Sequence, residues 1–104
     1  MAWMMLIFAG LLEVGWAFTM KLSDGFTNPV YSIITIAGVI ASFVLLSLSM
    51  KILPLGTAYT IWTGIGAIGA FMVGIFVLGE SVTPLRLLAA ALIISGLVLM
   101  KLSS

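Results

Sequence analysis

The apolar sequence is broken by charge at only a few positions, and the gaps between them have the length of membrane-crossing helices. No charged residue lies between Met1 and Glu13, and none follows until Lys21. The next uncharged runs are Gly25–Met50, Ile52–Gly79 and Leu87–Met100. A helix rising about 1.5 Å per residue needs about 20 residues to cross the hydrocarbon core. The second and third runs suffice outright, and the first does so if one acid is tolerated inside it. The fourth is short, but Arg86 and Lys101 can extend their ends to the interface, so that 84–102 reaches across. The pattern predicts four helices at about 2–20, 29–50, 57–78 and 84–102.

Local signals mark the ends of these helices. Asn28-Pro29 and Thr83-Pro84 each read as an N-cap followed by proline at the first helical position. Pro54 and Gly56 break the chain after Lys51, and Thr57 is expected to cap the third helix. Gly25 and Gly79 fall where turns are needed. The connections are short, so neighbouring helices are expected to run antiparallel. The fold class is therefore an all-α membrane protein, a single four-helix transmembrane unit over residues 1–104 with no soluble domain expected at either end.

Composition narrows the function classes. Hydrophobic residues make up 63% of the chain and charged residues 7%, with a mean hydropathy of +1.40. A soluble domain carries roughly 25% charged residues, so only a bilayer suits this surface. Met1–Ala17 is not expected to be a signal peptide: it lacks a basic leading segment, carries an acid in its apolar stretch and shows no clear small-residue cleavage site. The chain has no cysteine and no histidine, which removes disulfides, thiolate nucleophiles and the commonest metal ligands. No metal, cofactor or enzymatic nucleophile–base pair is expected, and a net charge of +1 suggests no nucleic-acid partner.

The basic residues are evenly divided. Four spans put Lys51 and Lys101 on one side of the membrane and Lys21 and Arg86 on the other. Orientation normally follows an excess of Lys and Arg on the cytoplasmic side. An even split predicts insertion both ways up, the alternative being an orientation set by a weaker bias. Many transporters use two inverted repeats around a midplane site, and two oppositely oriented copies of a four-helix chain would supply the same symmetry.

Glu13, about twelve residues into the first helix, is the candidate working residue. A carboxylate near the bilayer centre costs at least ~2.5–3.5 kcal/mol on insertion scales. Every Lys and Arg sits at a helix end, so a structural ion pair at that depth has no cation available. The acid then needs a proton or a cation from outside, and each of the two expels the other. Ala9, Gly10, Trp16 and Ala17 share its helical face. Trp16 offers an aromatic face to a cation or is core filler. Trp3 and Tyr31, near helix ends, read as interfacial belt residues. Tyr59 is an interfacial anchor or a site residue. Trp62, a turn deeper, needs an acceptor for its indole N–H, and Glu13 is the expected one. From spacing alone, Ser42 is expected to bond back to its own helix. Gly64, Gly66 and Gly69, within a small-residue stretch that places Gly66, Ala70 and Gly74 four apart, serve close packing or helix bending. Ala89 and Gly96 form a candidate dimer seam, and Asp24 and Glu80 are expected to be solvated loop acids.

Taken together, these residues resemble the small multidrug resistance family along essentially the whole chain. The carrying features are Glu13 in the first of four short helices, the segment Lys21-Leu22-Ser23-Asp24-Gly25-Phe26-Thr27, and Pro54-Leu55-Gly56-Thr57-Ala58-Tyr59-Thr60-Ile61-Trp62 opening the third. Gly10–Ala17 and Trp62–Gly69 look most like the guanidinium-exporter subtype. In the quaternary-ammonium subtype the position of Trp16 is usually small or hydroxylic. The resemblance implies an antiparallel homodimer in the bacterial inner membrane that exchanges protons for guanidinium or guanidinyl cations at two copies of Glu13. It also implies that Trp16, Ser42, Tyr59 and Trp62 line that site, which Gly10 joins by sharing the helical face of Glu13, and that the partners are the cation, protons, lipid and a second copy. Two rivals stand beside this expectation, a broad exporter of quaternary ammonium compounds and a non-transporting membrane subunit.

Overall fold

The structure, a computed structural model, describes residues 1–103. Four helices account for about four-fifths of them: α1 (Ala2–Leu22), α2 (Pro29–Ser49), α3 (Leu55–Phe76) and α4 (Pro84–Leu102). All four are long and apolar enough to cross a membrane, and together they make a multi-pass membrane protein. At about 1.5 Å per residue, the 21 residues of α1 span the hydrocarbon core, with Glu13 close to its middle.

Local chemistry explains the helix ends. Asn28 Oδ1 accepts hydrogen bonds from the backbone N–H groups of Val30 and Tyr31 at 3.1 and 3.3 Å, and Thr83 Oγ1 accepts one from Arg86 N–H at 3.2 Å. Proline follows each cap, where its missing N–H costs the helix nothing. Asn28→Ala is expected to lower stability by about 1 kcal/mol, the usual loss of an N-cap; thermal unfolding in detergent measures it. Thr57 does not cap α3. The extended backbone of Pro54 (φ −60°, ψ 151°) lets helical geometry begin at Leu55, and Ala58 N–H already donates to Pro54 C=O at 2.9 Å. The first connection is a left-handed turn in which Asp24, Gly25 and Phe26 all have positive φ (51°, 70° and 66°). Such backbone is unfavourable for the two side-chain-bearing residues. It is held by Ser23, whose hydroxyl donates to Met20 C=O at 2.6 Å and accepts from Phe26 N–H at 3.1 Å.

Packing is lopsided. α1 lies along both α2 and α3, whereas α4 reaches the rest mainly through α3. The buried core, Leu6, Ala9, Leu46, Ala58, Ile61 and Trp62, sits where α1, α2 and α3 meet. None of the described residues of α4 is buried. The Cα extents are 40 × 35 × 16 Å. Cα atoms lie about 2.3 Å from a helix axis and packed axes stand about 8–10 Å apart, so the short dimension holds about two layers of helices.

Glu80 lies in the exposed α3–α4 connection, where it has contacts besides solvent. Its N–H donates to Gly74 C=O at 2.9 Å, its carboxylate lies against Gly74, and Arg86 pairs with it at 3.8 Å while stacking over the Phe71 ring. The α3–α4 connection thus folds back on the end of α3. At the opposite end of the chain, Lys101 Nζ lies 4.2 Å above the Trp3 ring, joining α4 to α1.

Candidate functional site

Glu13 projects from α1 onto α3 at the level of Gly66. A methyl group on Gly66 would overlap the Glu13 carboxyl group, so the absence of a side chain there is what admits the acid. Oε1 is buried and has no hydrogen-bond partner among the described residues. A buried polar oxygen left unpaired is costly in an apolar setting.

Neighbouring glycines set the same close approach of helices. A methyl on Gly10 would come within 2.7 Å of Ile65 Cγ2, and one on Gly69 would overlap Val14. Gly64 instead faces Leu97, on the α3–α4 seam. Small residues at these positions bring α3 against α1 on one side and α4 on the other.

Ser42, Tyr59 and Trp62 form a connected group. Trp62 Nε1 donates to Ser42 Oγ at 2.9 Å, and Ser42 Oγ donates to Ala9 C=O at 2.7 Å. Both expectations for these residues are therefore corrected. Ser42 bonds across to α1 rather than back to α2, because α2 turns its face with Thr35 and Ser42 onto α1. Trp62 donates to Ser42 rather than to Glu13, since the fully buried Ser42 hydroxyl on α2 is presented to the indole nitrogen at hydrogen-bonding distance. The chain Trp62–Ser42–Ala9 ends one turn of α1 before Glu13. Tyr59 stacks obliquely against Trp62, with centroids 5.6 Å apart, and is 52% exposed. Phe43 also meets Trp62, edge-on at 5.5 Å. These aromatics border an open cavity of about 450 Å³ that is also lined by Leu46, Ser47 and Met50.

Trp16 is half-buried on α1 beside α2, and its Nε1 has no hydrogen-bond partner among the described residues. Ala89 and Gly96 are exposed; a methyl on Gly96 would meet nothing within 4 Å. Gly96 borders a cleft of about 490 Å³ between α3 and α4, shared with Tyr59, Thr63 and Ala67. Sequence reasoning missed Phe43, Thr19, Thr35 and Gly38. The two threonines carried a usable signal, since a hydroxyl inside an apolar span needs an acceptor.

One protomer thus holds an acid seated against glycine at mid-membrane and, separately, a hydrogen-bonded and stacked group of Ser42, Tyr59 and Trp62 between α1, α2 and α3. A family model described as Small Multidrug Resistance protein matches residues 1–93. Proteins named guanidinium exporter from Citrobacter freundii and Salmonella typhi are each 54% identical over 104 residues, covering 100% of this chain and 99% of theirs. The guanidinium exporter of Escherichia coli (strain K12) is 51% identical over the same span. With an unpaired mid-membrane acid on the first of four helices and relatives matched from end to end, the chain belongs to the small multidrug resistance family of membrane transporters.

Proposed function

We propose that this protein exports guanidinium and small guanidinyl cations across the bacterial inner membrane in exchange for protons, with the two ligands competing for Glu13. The observation that carries this reading is the Glu13 carboxylate, held against Gly66 in mid-membrane with Oε1 buried and unpaired. A proton or a cation satisfies it, and either one excludes the other. The guanidinium-exporter relatives support the choice of cargo. Chemistry supports it too: guanidinium is planar, its N–H groups can engage a carboxylate in two parallel bonds, and its faces stack on indole.

The working unit in this proposal is an antiparallel homodimer. Support comes from α4, none of whose described residues is buried within the chain, and from the even division of basic residues between the two membrane sides. Two copies of Glu13 would then share one site. Ala89 and Gly96 on exposed α4 are candidates for the contact between copies, while Gly64, Gly66 and Gly69 let α3 shift against its neighbours. Tyr59, Trp62, Ser42, Trp16 and Gly10 line the shared site.

The test is proton movement driven by guanidinium in liposomes holding the purified protein. Guanidinium is expected to drive it and tetramethylammonium to fail; the reverse result would assign the chain to quaternary ammonium export. Acidification is expected to weaken the apparent affinity for guanidinium, because protons occupy the same carboxyl, with KM rising towards about tenfold per pH unit once the protonated form dominates. A KM that does not depend on pH would rule out the shared site.

A further inference from the structure

One face of α2 fixes α1 through three successive contacts. Thr35, Gly38 and Ser42 follow one another at spacings of three and four, so they share that face. Opposite them on antiparallel α1 stand Thr19, Trp16 and Ala9. Thr35 is 1% exposed, and its Oγ1 lies 2.7 Å from Thr19 Oγ1. A methyl on Gly38 would come within 2.9 Å of Trp16 Cβ and 3.7 Å of Trp16 Cα, so α2 runs almost directly on the backbone that carries the indole.

The hydroxyl pair is bound to the same residue from the other side. Thr19 Oγ1 is 3.1 Å from Trp16 C=O, and Thr35 Oγ1 is 2.7 Å from Tyr31 C=O. Two hydroxyl protons serve three contacts. The 2.7 Å separation of the two oxygens requires one proton between them, so the other goes either to Trp16 C=O or to Tyr31 C=O. Trp16 is thus met at its Cβ by Gly38, and the next turn of α1 is tied to α2 by the Thr19–Thr35 pair, in either arrangement of the protons. Its indole has no internal hydrogen bond to hold it, which leaves its direction to packing and to the placement of its Cβ.

We propose that Gly38 and the Thr19–Thr35 pair are positioning residues that aim the Trp16 indole and thereby set the preference for a flat cation over a bulky one. This rests on the exporter reading only in so far as Trp16 faces the cargo. Gly38→Ala forces α2 away from the Trp16 Cβ and backbone and so shifts the base of the indole; Thr35→Val keeps the shape of the side chain but removes the hydroxyl bridge; Thr35→Ser retains the bridge.

The experiment labels the three tryptophans with 5-fluorotryptophan in the full-length protein in lipid and assigns their fluorine resonances with single Trp→Phe variants. Gly38→Ala and Thr35→Val are expected to shift the Trp16 resonance and leave that of Trp3 in place, with Thr35→Ser resembling wild type. In liposomes the same two variants are expected to raise the KM for guanidinium about tenfold, as misplacement of a contact group does, with kcat within about twofold of wild type. Tetramethylammonium should gain ground relative to guanidinium, and Thr35→Ser should restore the wild-type KM. An unmoved Trp16 resonance, identical behaviour of Thr35→Val and Thr35→Ser, or a moved resonance with unchanged KM would each overturn the proposal. If Gly38→Ala does not fold, Thr35→Val and Thr35→Ser decide the matter. The fluorine readout needs no transport, so a wild-type protein inert to guanidinium would sink the exporter reading and leave the positioning claim to be decided by the resonance alone.

Discussion

Replacement of Glu13 by glutamine is expected to cut guanidinium-driven proton movement at least about a hundredfold, in line with the loss of one member of a desolvated charge pair. The amide has the shape of the acid and fits the same place against Gly66, so folding and insertion should be unaffected. Glutamine, however, can neither take up the exchanged proton nor offer a negative charge to the cation. Size-exclusion profile and thermal unfolding serve as the folding control. A variant that retained proton coupling would show that another group carries the exchange, and a non-transporting subunit would then become the better reading.

The second large effect is expected at Gly66, and it separates function from stability. In Gly66→Ala the new methyl occupies the space of the Glu13 carboxyl group. That carboxyl ends a flexible side chain and can swing away, while alanine favours the helix by about 1 kcal/mol relative to glycine. The protein should therefore stay folded but lose about ten- to a hundredfold in transport, because the acid no longer stands where the cation meets the aromatic groups. Gly69→Ala provides the contrast. Its methyl would overlap Val14, a β-branched side chain with little rotameric freedom. Here the helices themselves must separate, at a cost of about 1–3 kcal/mol in stability. Thermal unfolding and guanidinium flux, measured on both variants, should rank them in opposite orders. Equal losses of stability would mean that the carboxyl group is not free to move.

The four spans were legible because charge is confined to helix ends, with Glu13 the lone exception, and because Asn28-Pro29 and Thr83-Pro84 carry their own capping chemistry. The start of α3 was not, since Pro54 and Thr57 both satisfy the rules for a helix start and only backbone geometry chooses between them. Glu13 stood out as a candidate because an acid at that depth has no local explanation. The partners of Ser42 and Trp62 were hidden for a different reason. Their bonds cross between helices, so they depend on how far α2 is rotated about its own axis against α1, and periodicity within one helix carries no information about that angle. Gly38 was missed for the same cause: a single glycine in a span shows its purpose only when the opposite side chain, here Trp16, is known.

The bare flank of α4 makes lipid its main companion within one protomer. None of its described residues is buried, and beyond the seam where Leu97 meets Gly64 its side chains meet acyl tails that are as apolar as they are. In the proposed arrangement a second copy would exchange lipid for protein along this flank with little net gain in apolar burial. Pairing should then respond to the thickness and fluidity of the bilayer rather than to its apolarity.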